Sequence, residues 1–450
     1  MNWTLKHVLD ACGGEPRDWD PTRTFQRVCT DSRDVRPGDL YVALRGANFD
    51  GNEFAPGALA SGAVAAVVDD PGMSGVPALV VAEGRRALGQ LGAAWRNQFE
   101  PAVIGVAGSN GKTSTKEMLA SVLRTRLNTL HSEASFNNEI GVPKTLLKLN
   151  SHHEAAVLEL GTNHPGELAP LIEMAAPQYG VLTGIGREHL EFFGDLEGVA
   201  REEGTLGELL PSSGKLFLYG DGVWAKPIAD RSRAPTVTAG FEAGNDWRVE
   251  HVRISADGTR FDLGSPNEES VTEYWTPLLG VHQAGNAALA IAVASELGLS
   301  PEEIAEGLAN TPVPSLRLQC RERAGVMWVN DAYNANADSV NAALATLENL
   351  PTTGRRFVVL GDMAELGEHS HSAHAEAGRG VATIATGLVA LGDYAEVTAA
   401  AAVEAGLGQT EVVADIESAA ECLRNWVQPG DVVLLKASRA ARLEQIEELV

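Results

Sequence analysis

The stretch "EPAVIGVAGSNGKTSTKEMLASVL", residues 100–123, runs from an apolar segment through a glycine turn into apolar residues at helical spacing. Strand, glycine loop and helix in that order form a frame in which backbone N–H groups and a helix N-terminus hold phosphate. Gly108, Ser109, Asn110, Gly111 and Ser114 supply this loop, Lys112 is placed to reach β- and γ-phosphates, and Thr113 to offer its hydroxyl to Mg²⁺. The strict spacing G-x-x-x-x-G-K-[ST] is not met, because Val106 holds the first glycine position and Gly105 and Gly108 flank it. An ordinary small-residue turn between strand and helix is the structural alternative. A phosphate grip does not by itself name a reaction, since kinases, hydrolases, motors and ligases share it.

Downstream, "AAVLELG" (155–161) and "YGVLTGIG" (179–186) are short apolar runs bounded by glycine, as buried parallel strands are. Strands alternating with helical stretches predict a doubly wound α/β sheet. "ANTPVPSL" (309–316) breaks the pattern with two prolines, and beyond it "RRFVVLGDM", "GLVALGD" and "GDVVLLKAS" read as three further strands. The reading is therefore α/β in three domains: a small N-terminal domain at 1–98, a central P-loop ATPase with a mostly parallel sheet at 99–312, and a C-terminal α/β domain at 313–450. A chain of 450 residues is consistent with about three such cores.

The formal net charge of −25 repels a nucleic-acid backbone or an anionic bilayer, so neither is an expected partner. Small phosphorylated ligands are not excluded. Cys12, Cys29, Cys320 and Cys422 are dispersed without a CxxC pair, as for reduced thiols of a cytoplasmic protein. Lys6, His7 and Asp10 interrupt the N-terminal apolar residues, against a signal peptide. Apolar stretches fall well short of the roughly 20 residues a membrane span needs.

"GSNGKTST", "SFNNEIGVPKTLL", "ELGTNHPGEL", "GREHLEFFGDLEGVA", "LLGVHQAGNAALA", "NDAYNANADS" and "VVLGDMAELGEHS" follow one another in an order and spacing that resemble the Mur ligases. "TDSRDVRPGDLYVALRGANFDGNEF" and "GDVVLLKASRA" extend the resemblance to essentially the whole chain. Within that family it is closest to the branch that adds D-Ala-D-Ala to UDP-MurNAc-tripeptide. The branch adding the third stem-peptide residue shares "DSR…PGD", but its diaminopimelate-adding members carry a DNPR segment absent here. The resemblance implies a UDP-sugar-peptide-binding domain, a central ATPase and a Rossmann-like C-terminal domain closing over ATP and the dipeptide, in a monomer. It implies a γ-phosphoryl transfer to the peptide carboxylate, then attack of the dipeptide amine on the acyl phosphate.

The same resemblance gives roles to residues. Glu159 and His189 match Mg²⁺ ligands that act with Thr113, two ions being expected. Asn137, Asn138, Asn163 and His164 match substrate-side linings, although Asn163 and His164 also suit a cap on the following helix. Asn286 matches the asparagine near adenine, Arg317 the arginine near the phosphates and Asp331 the acid on the ribose. Ser32 and Arg33 match the UDP-sugar contacts, with Asp31 suited to capping its turn. Tyr333, Asn334 and Asn336 match the D-Ala-D-Ala side, while Lys436 either faces substrate or ends a strand.

One segment departs from the pattern. The family commonly reads A-K-x-K-G or A-R-x-K-G where this chain has "AREEG" (200–204), and several members carbamylate the second lysine to make an anion near Mg²⁺. Glu203 falls at that lysine, so the expectation is an encoded carboxylate, no carbamylated lysine, and Glu202 as a solvated neighbour.

Overall fold

The structure, a computed structural model, describes residues 3–266 and 271–450. The chain divides into two compact units, one of residues 1–103, 130–160 and 170–176, the other of residues 104–129, 161–169 and 177–450.

In the first unit, strands Arg27–Cys29, Asp39–Val42, Ala65–Val68 and Ala78–Val80 pair in parallel, and Glu15–Arg17 closes the edge antiparallel. The two middle strands are buried throughout, so the alanines and valines of "AAVV" serve a sheet covered on both faces. The helix Gly84–Arg96 lies so close to the helix Gly141–Leu146 that a Cβ on Gly92 would come 2.7 Å from Pro143 Cβ. At the end of the first helix, buried Arg96 donates to the carbonyls of Ala175 and Ala176 at 3.0 and 3.1 Å, satisfying otherwise orphaned acceptors.

In the second unit, residues 104–107 of the strand Ala102–Ala107 pair in parallel with Tyr179–Leu182, which is followed by Lys215–Tyr219 and Thr236–Gly240. An antiparallel meander, Trp247–Ser255, Gly258–Gly264 and Thr272–Thr276, extends this sheet. The mostly parallel character expected for the ATPase is thus present. Helices Lys112–Leu123 and Val281–Glu296 pack together; alanines dominate the buried face of the second, which permits close approach.

The C-terminal sheet runs Gln319–Arg323, Val326–Asp331, Val432–Lys436, Arg356–Leu360, Gly387–Leu391, Gln409–Val413, parallel except at the first pair. Its two faces carry separate apolar clusters, one around Leu344, Val381 and Leu434, the other around Trp328, Phe357 and Leu423. That is the doubly wound arrangement expected of the Rossmann-like domain. Among the described residues, no helix is long and apolar enough to cross a membrane.

Candidate functional site

The phosphate loop turns on two glycines. Gly108 has φ +116°, and a Cβ there would lie 2.6 Å from Thr183 Oγ1; Gly111 has φ +88°, and a Cβ there would lie 2.5 Å from Asn286 Oδ1. Both the torsion and the space demand glycine. The loop is then held by Ser109 N–H donating to the Gly184 carbonyl at 2.9 Å and Thr183 Oγ1 donating to the Asn110 carbonyl at 2.6 Å. Gly186 N–H donates to Ser109 Oγ at 2.8 Å, tying the segment that ends in "GREH" to the same loop. Lys112 opens the helix and folds over the loop, its Nζ donating to the carbonyls of Gly108 and Ser109 and standing 3.5 Å from Glu188 Oε2.

Two carboxylates face this ammonium. Glu203, from the helix Leu196–Leu209, is 1% exposed and Glu188 is 6% exposed. Glu203 Oε2 accepts the Gly108 N–H at 2.7 Å, while Glu203 Oε1 and Glu188 Oε1 are buried without a hydrogen-bond partner. Burial pushes both carboxyls above their ordinary range; Lys112 opposes the shift in each, and Glu203 adds to the rise at Glu188. Two buried acids against one ammonium leave an excess negative charge that a proton or a cation must neutralise. Orphaned hard oxygens fit a divalent cation such as Mg²⁺. Among the described residues no three His, Cys, Asp or Glu side chains gather around one point, so such an ion would complete its shell from phosphate oxygens and water. Glu188 was not singled out by the sequence; its signal was an acid two residues after the glycine that grips Ser109.

Glu202 corrects an expectation. It is not solvated but 9% exposed, and accepts from Gly166 N–H at 2.8 Å, Leu168 N–H at 2.9 Å and Thr162 Oγ1 at 3.3 Å. Adjacent acids on one helix therefore diverge, Glu203 to the phosphate loop and Glu202 to the 162–168 turn. In that turn, the backbone amides of Asn163 and His164 donate to Glu167 Oε2 at 2.8 and 3.1 Å, while the first amide of the helix Leu168–Ala175 goes to Glu202. The His164 ring lies 4.2 Å from that of Phe192.

His189 caps the short helix Leu190–Phe193 with a left-handed backbone, φ 48°, and its Nδ1 stands 2.5 Å from Glu365 Oε2. Burial holds its imidazole below the ordinary value against the pull of Glu365, which favours the neutral, ligand-competent ring.

Asn286 packs against Gly111 and donates to Gln283 Oε1 at 3.1 Å. Asp331 is fully engaged: Oδ1 accepts Leu318 N–H at 3.1 Å and Oδ2 pairs with Lys436 Nζ at 2.8 Å. Lys436 is 2% exposed and also donates to the Asn334 carbonyl at 2.7 Å. It ends the strand Val432–Lys436 with its ammonium held between Asp331 and the Asn334 carbonyl. The Arg317 guanidinium stacks 4.2 Å from the Tyr333 ring centroid, between Leu316 and Leu318, whose φ values of 60° and 48° are strained for branched side chains. Asn336 caps the helix Ala337–Asn349 through Ser339 N–H at 2.8 Å and donates to Asn110 Oδ1 at 3.0 Å, so this predicted residue reaches the phosphate loop.

In the first unit, Asn137 Nδ2 donates to Glu159 Oε1 at 2.9 Å, bringing two predicted residues together at the end of the strand Ala155–Glu159. Asn138 Oδ1 accepts from Gly141 N–H at 3.0 Å, a cap on the helix that follows. Arg33 folds onto Asp31 at 2.7 Å and its own N–H donates to Asp31 Oδ1 at 3.0 Å, the turn-capping role. The Arg33 pair holds the Asp31 carboxyl well below the usual range. Asp31 lines a cavity of about 380 Å³ together with Arg27, Asp34, Trp95, Lys144 and Lys148. Ser32 lies beside it in sequence. Asn52 is buried and bridges Asp50 and Asp69, each at 2.6 Å.

Comparison with known proteins bears on these features together. Three family descriptions match: Mur ligase family, catalytic domain, at residues 24–126; Mur ligase middle domain at 106–294; and Mur ligase, glutamate ligase domain, at 316–439. The UDP-N-acetylmuramoyl-tripeptide–D-alanyl-D-alanine ligase of Escherichia coli K12 is 35% identical over 98% of this chain and 97% of its own. The crystal structure of MurF from Acinetobacter baumannii superposes with a TM-score of 0.91 at 31% identity, covering 100% of this chain and 98% of its own. MurF from Thermotoga maritima, solved in complex with ADP, gives 0.86 at 28% identity over 94% and 96% of the two chains.

Proposed function

The chain belongs to the Mur ligase family, and we propose that it is the member that joins D-alanyl-D-alanine to UDP-N-acetylmuramoyl-tripeptide at the expense of ATP, yielding UDP-MurNAc-pentapeptide, ADP and phosphate. The observation that carries this reading is the pair of buried carboxyls, Glu188 and Glu203, set against Lys112 and the Gly108 amide of a glycine-gated phosphate loop, in a chain similar end to end to ligases of that name.

On this reading residues 1–98 take the UDP-sugar peptide, residues 99–312 the nucleotide, and residues 313–450 the dipeptide and the far side of ATP. Gly108 to Ser114 cradle the phosphates. Lys112 exchanges the Gly108 and Ser109 carbonyls for phosphate oxygens, which keeps the ammonium paired before and after ATP arrives. Thr113, His189 and Glu203 are proposed Mg²⁺ ligands divided between the two expected ions, with Glu188 beside Glu203, and Glu159 is proposed as a further Mg²⁺ ligand. Bound Mg²⁺ would neutralise charge on the phosphoryl group in flight. Glu203 takes the place of the carbamylated lysine of several relatives, its Gly108 bond fixing one oxygen and leaving the other free to face a cation. Asn137 orients Glu159. Ser32, Arg33, Asn137, Asn138, Asn163 and His164 serve the sugar-peptide; Tyr333, Asn334 and Asn336 serve the dipeptide. Asn286, Arg317 and Asp331 line the nucleotide, with Lys436 positioning Asp331 rather than touching substrate. The enzyme works as a cytoplasmic monomer.

The test is phosphate release from ATP with UDP-MurNAc-tripeptide, with and without D-Ala-D-Ala, read alongside the product mass. Dipeptide-dependent release with a pentapeptide product is expected. Release that ignores the dipeptide and yields no pentapeptide overturns the reading.

A further inference from the structure

Arg187 stands between Gly186, which bonds to Ser109 of the phosphate loop, and Glu188, which faces Lys112. Its own side chain turns toward the C-terminal sheet and its helices. Nε donates to Asp338 Oδ1 at 2.8 Å, Nη1 to Glu376 Oε2 at 2.7 Å and Nη2 to Glu376 Oε1 at 3.0 Å. The Arg187 backbone N–H adds a fourth bond, to Asp338 Oδ2 at 2.6 Å. Asp338 lies in the first turn of the helix Ala337–Asn349 and Glu376 in the helix Ser370–Ile384, which Asn341 also joins by donating to Glu376 at 2.8 Å. One planar guanidinium therefore fastens two helices to one loop, a task a lysine cannot perform with a single nitrogen.

Two independent features mark the contact as built. A Cβ on Gly186 would lie 2.8 Å from Asp338 Oδ2, so the glycine that grips Ser109 also admits the Asp338 helix. Asn336, two residues before Asp338, reaches Asn110 of the same phosphate loop at 3.0 Å. The Arg187 pair holds the Glu376 carboxyl down at about 2, so it is ionised throughout the working range.

We propose that Arg187 is a positioning residue for the ligation: by clamping Asp338 and Glu376 it seats the C-terminal sheet on the 186–189 loop and sets where Glu188 meets Lys112. Seating of that sheet and assembly of the phosphate site then become one event. The kinetic part of this proposal rests on the ligase reading; the structural part does not.

The experiment uses the full chain carrying Arg187→Ala, Arg187→Lys, Glu376→Gln and the Arg187→Ala/Glu376→Gln pair. Ligation kinetics and amide hydrogen exchange of residues 186–188 are measured for each. Arg187→Ala is expected to lower kcat/KM for the dipeptide roughly 3- to 30-fold and to speed exchange at 186–188, with Arg187→Lys restoring little. The double variant should be no worse than Arg187→Ala alone, because both remove one clamp. Unchanged kinetics and exchange in Arg187→Ala, or additive losses in the pair, overturn the proposal. A wild-type chain that makes no pentapeptide refutes the ligase reading instead, and exchange at 186–188 still decides the clamp.

Discussion

Two buried charge clusters of the second unit use the same kinds of side chain and end in opposite states. At Lys436 and Asp331, one ammonium meets one carboxylate at 2.8 Å, and backbone groups of Leu318 and Asn334 occupy further positions around them. At Lys112, one ammonium meets Glu188 and Glu203, and each acid keeps a buried oxygen without a hydrogen-bond partner. The first cluster is balanced and satisfied, so Asp331 is held in place with no unmet charge. The second sets two buried carboxyls against one ammonium, so it must hold a proton or a cation, which a stable protein tolerates where a ligand is due.

Removing the ammonium from each cluster breaks the comparison most sharply. Lys112→Ala should cut the ligation rate about 10²- to 10³-fold, because it deletes a cation aimed at developing phosphate charge. Steady-state kinetics check this, and the thermal midpoint should change little, since two carboxylates without their ammonium can share a proton. Lys436→Met should do the reverse. It leaves the half-buried Asp331 without its ammonium and should cost about 1–2 kcal/mol of stability, read by denaturant unfolding, with a smaller effect on the rate of the folded enzyme.

The sequence showed much of this molecule, and where it failed the reason is distance. Gly108 to Thr113 were legible because strand, loop and helix are local, and Glu203 because it stands in a recognisable run. Glu202 was misjudged: one helix turn cannot reveal that the 162–168 backbone, some 36 residues earlier, needs an acceptor. Lys436 and Asp331 meet across 105 residues, and Arg187 and Asp338 across 151, separations at which residue type says nothing about partners. Glu188 was overlooked because an acid beside a histidine in "REHLEFF" reads as surface until the fold buries it.

The smallest expected effect concerns Glu376. Its carboxyl sits at about 2 when folded, below its ordinary value of 4.5, so its contribution is present above the unfolded value and fades as pH falls toward 2. Wild type should therefore melt slightly above Glu376→Gln at pH 6, and the gap should close below about pH 4.5. Melting curves across that range check it; a gap that is constant with pH would detach Glu376 from Arg187.

The claim that most distinguishes this chain is that Glu203 is an encoded carboxylate where relatives modify a lysine. The direct measurement is the ligation rate of wild type and Glu203→Ala in carbon-dioxide-depleted buffer, with and without added bicarbonate. The account predicts a wild-type rate indifferent to bicarbonate and a Glu203→Ala rate reduced about 10- to 100-fold and not restored by it. A wild-type enzyme stimulated by bicarbonate, or a fully active Glu203→Ala at limiting Mg²⁺, would contradict it.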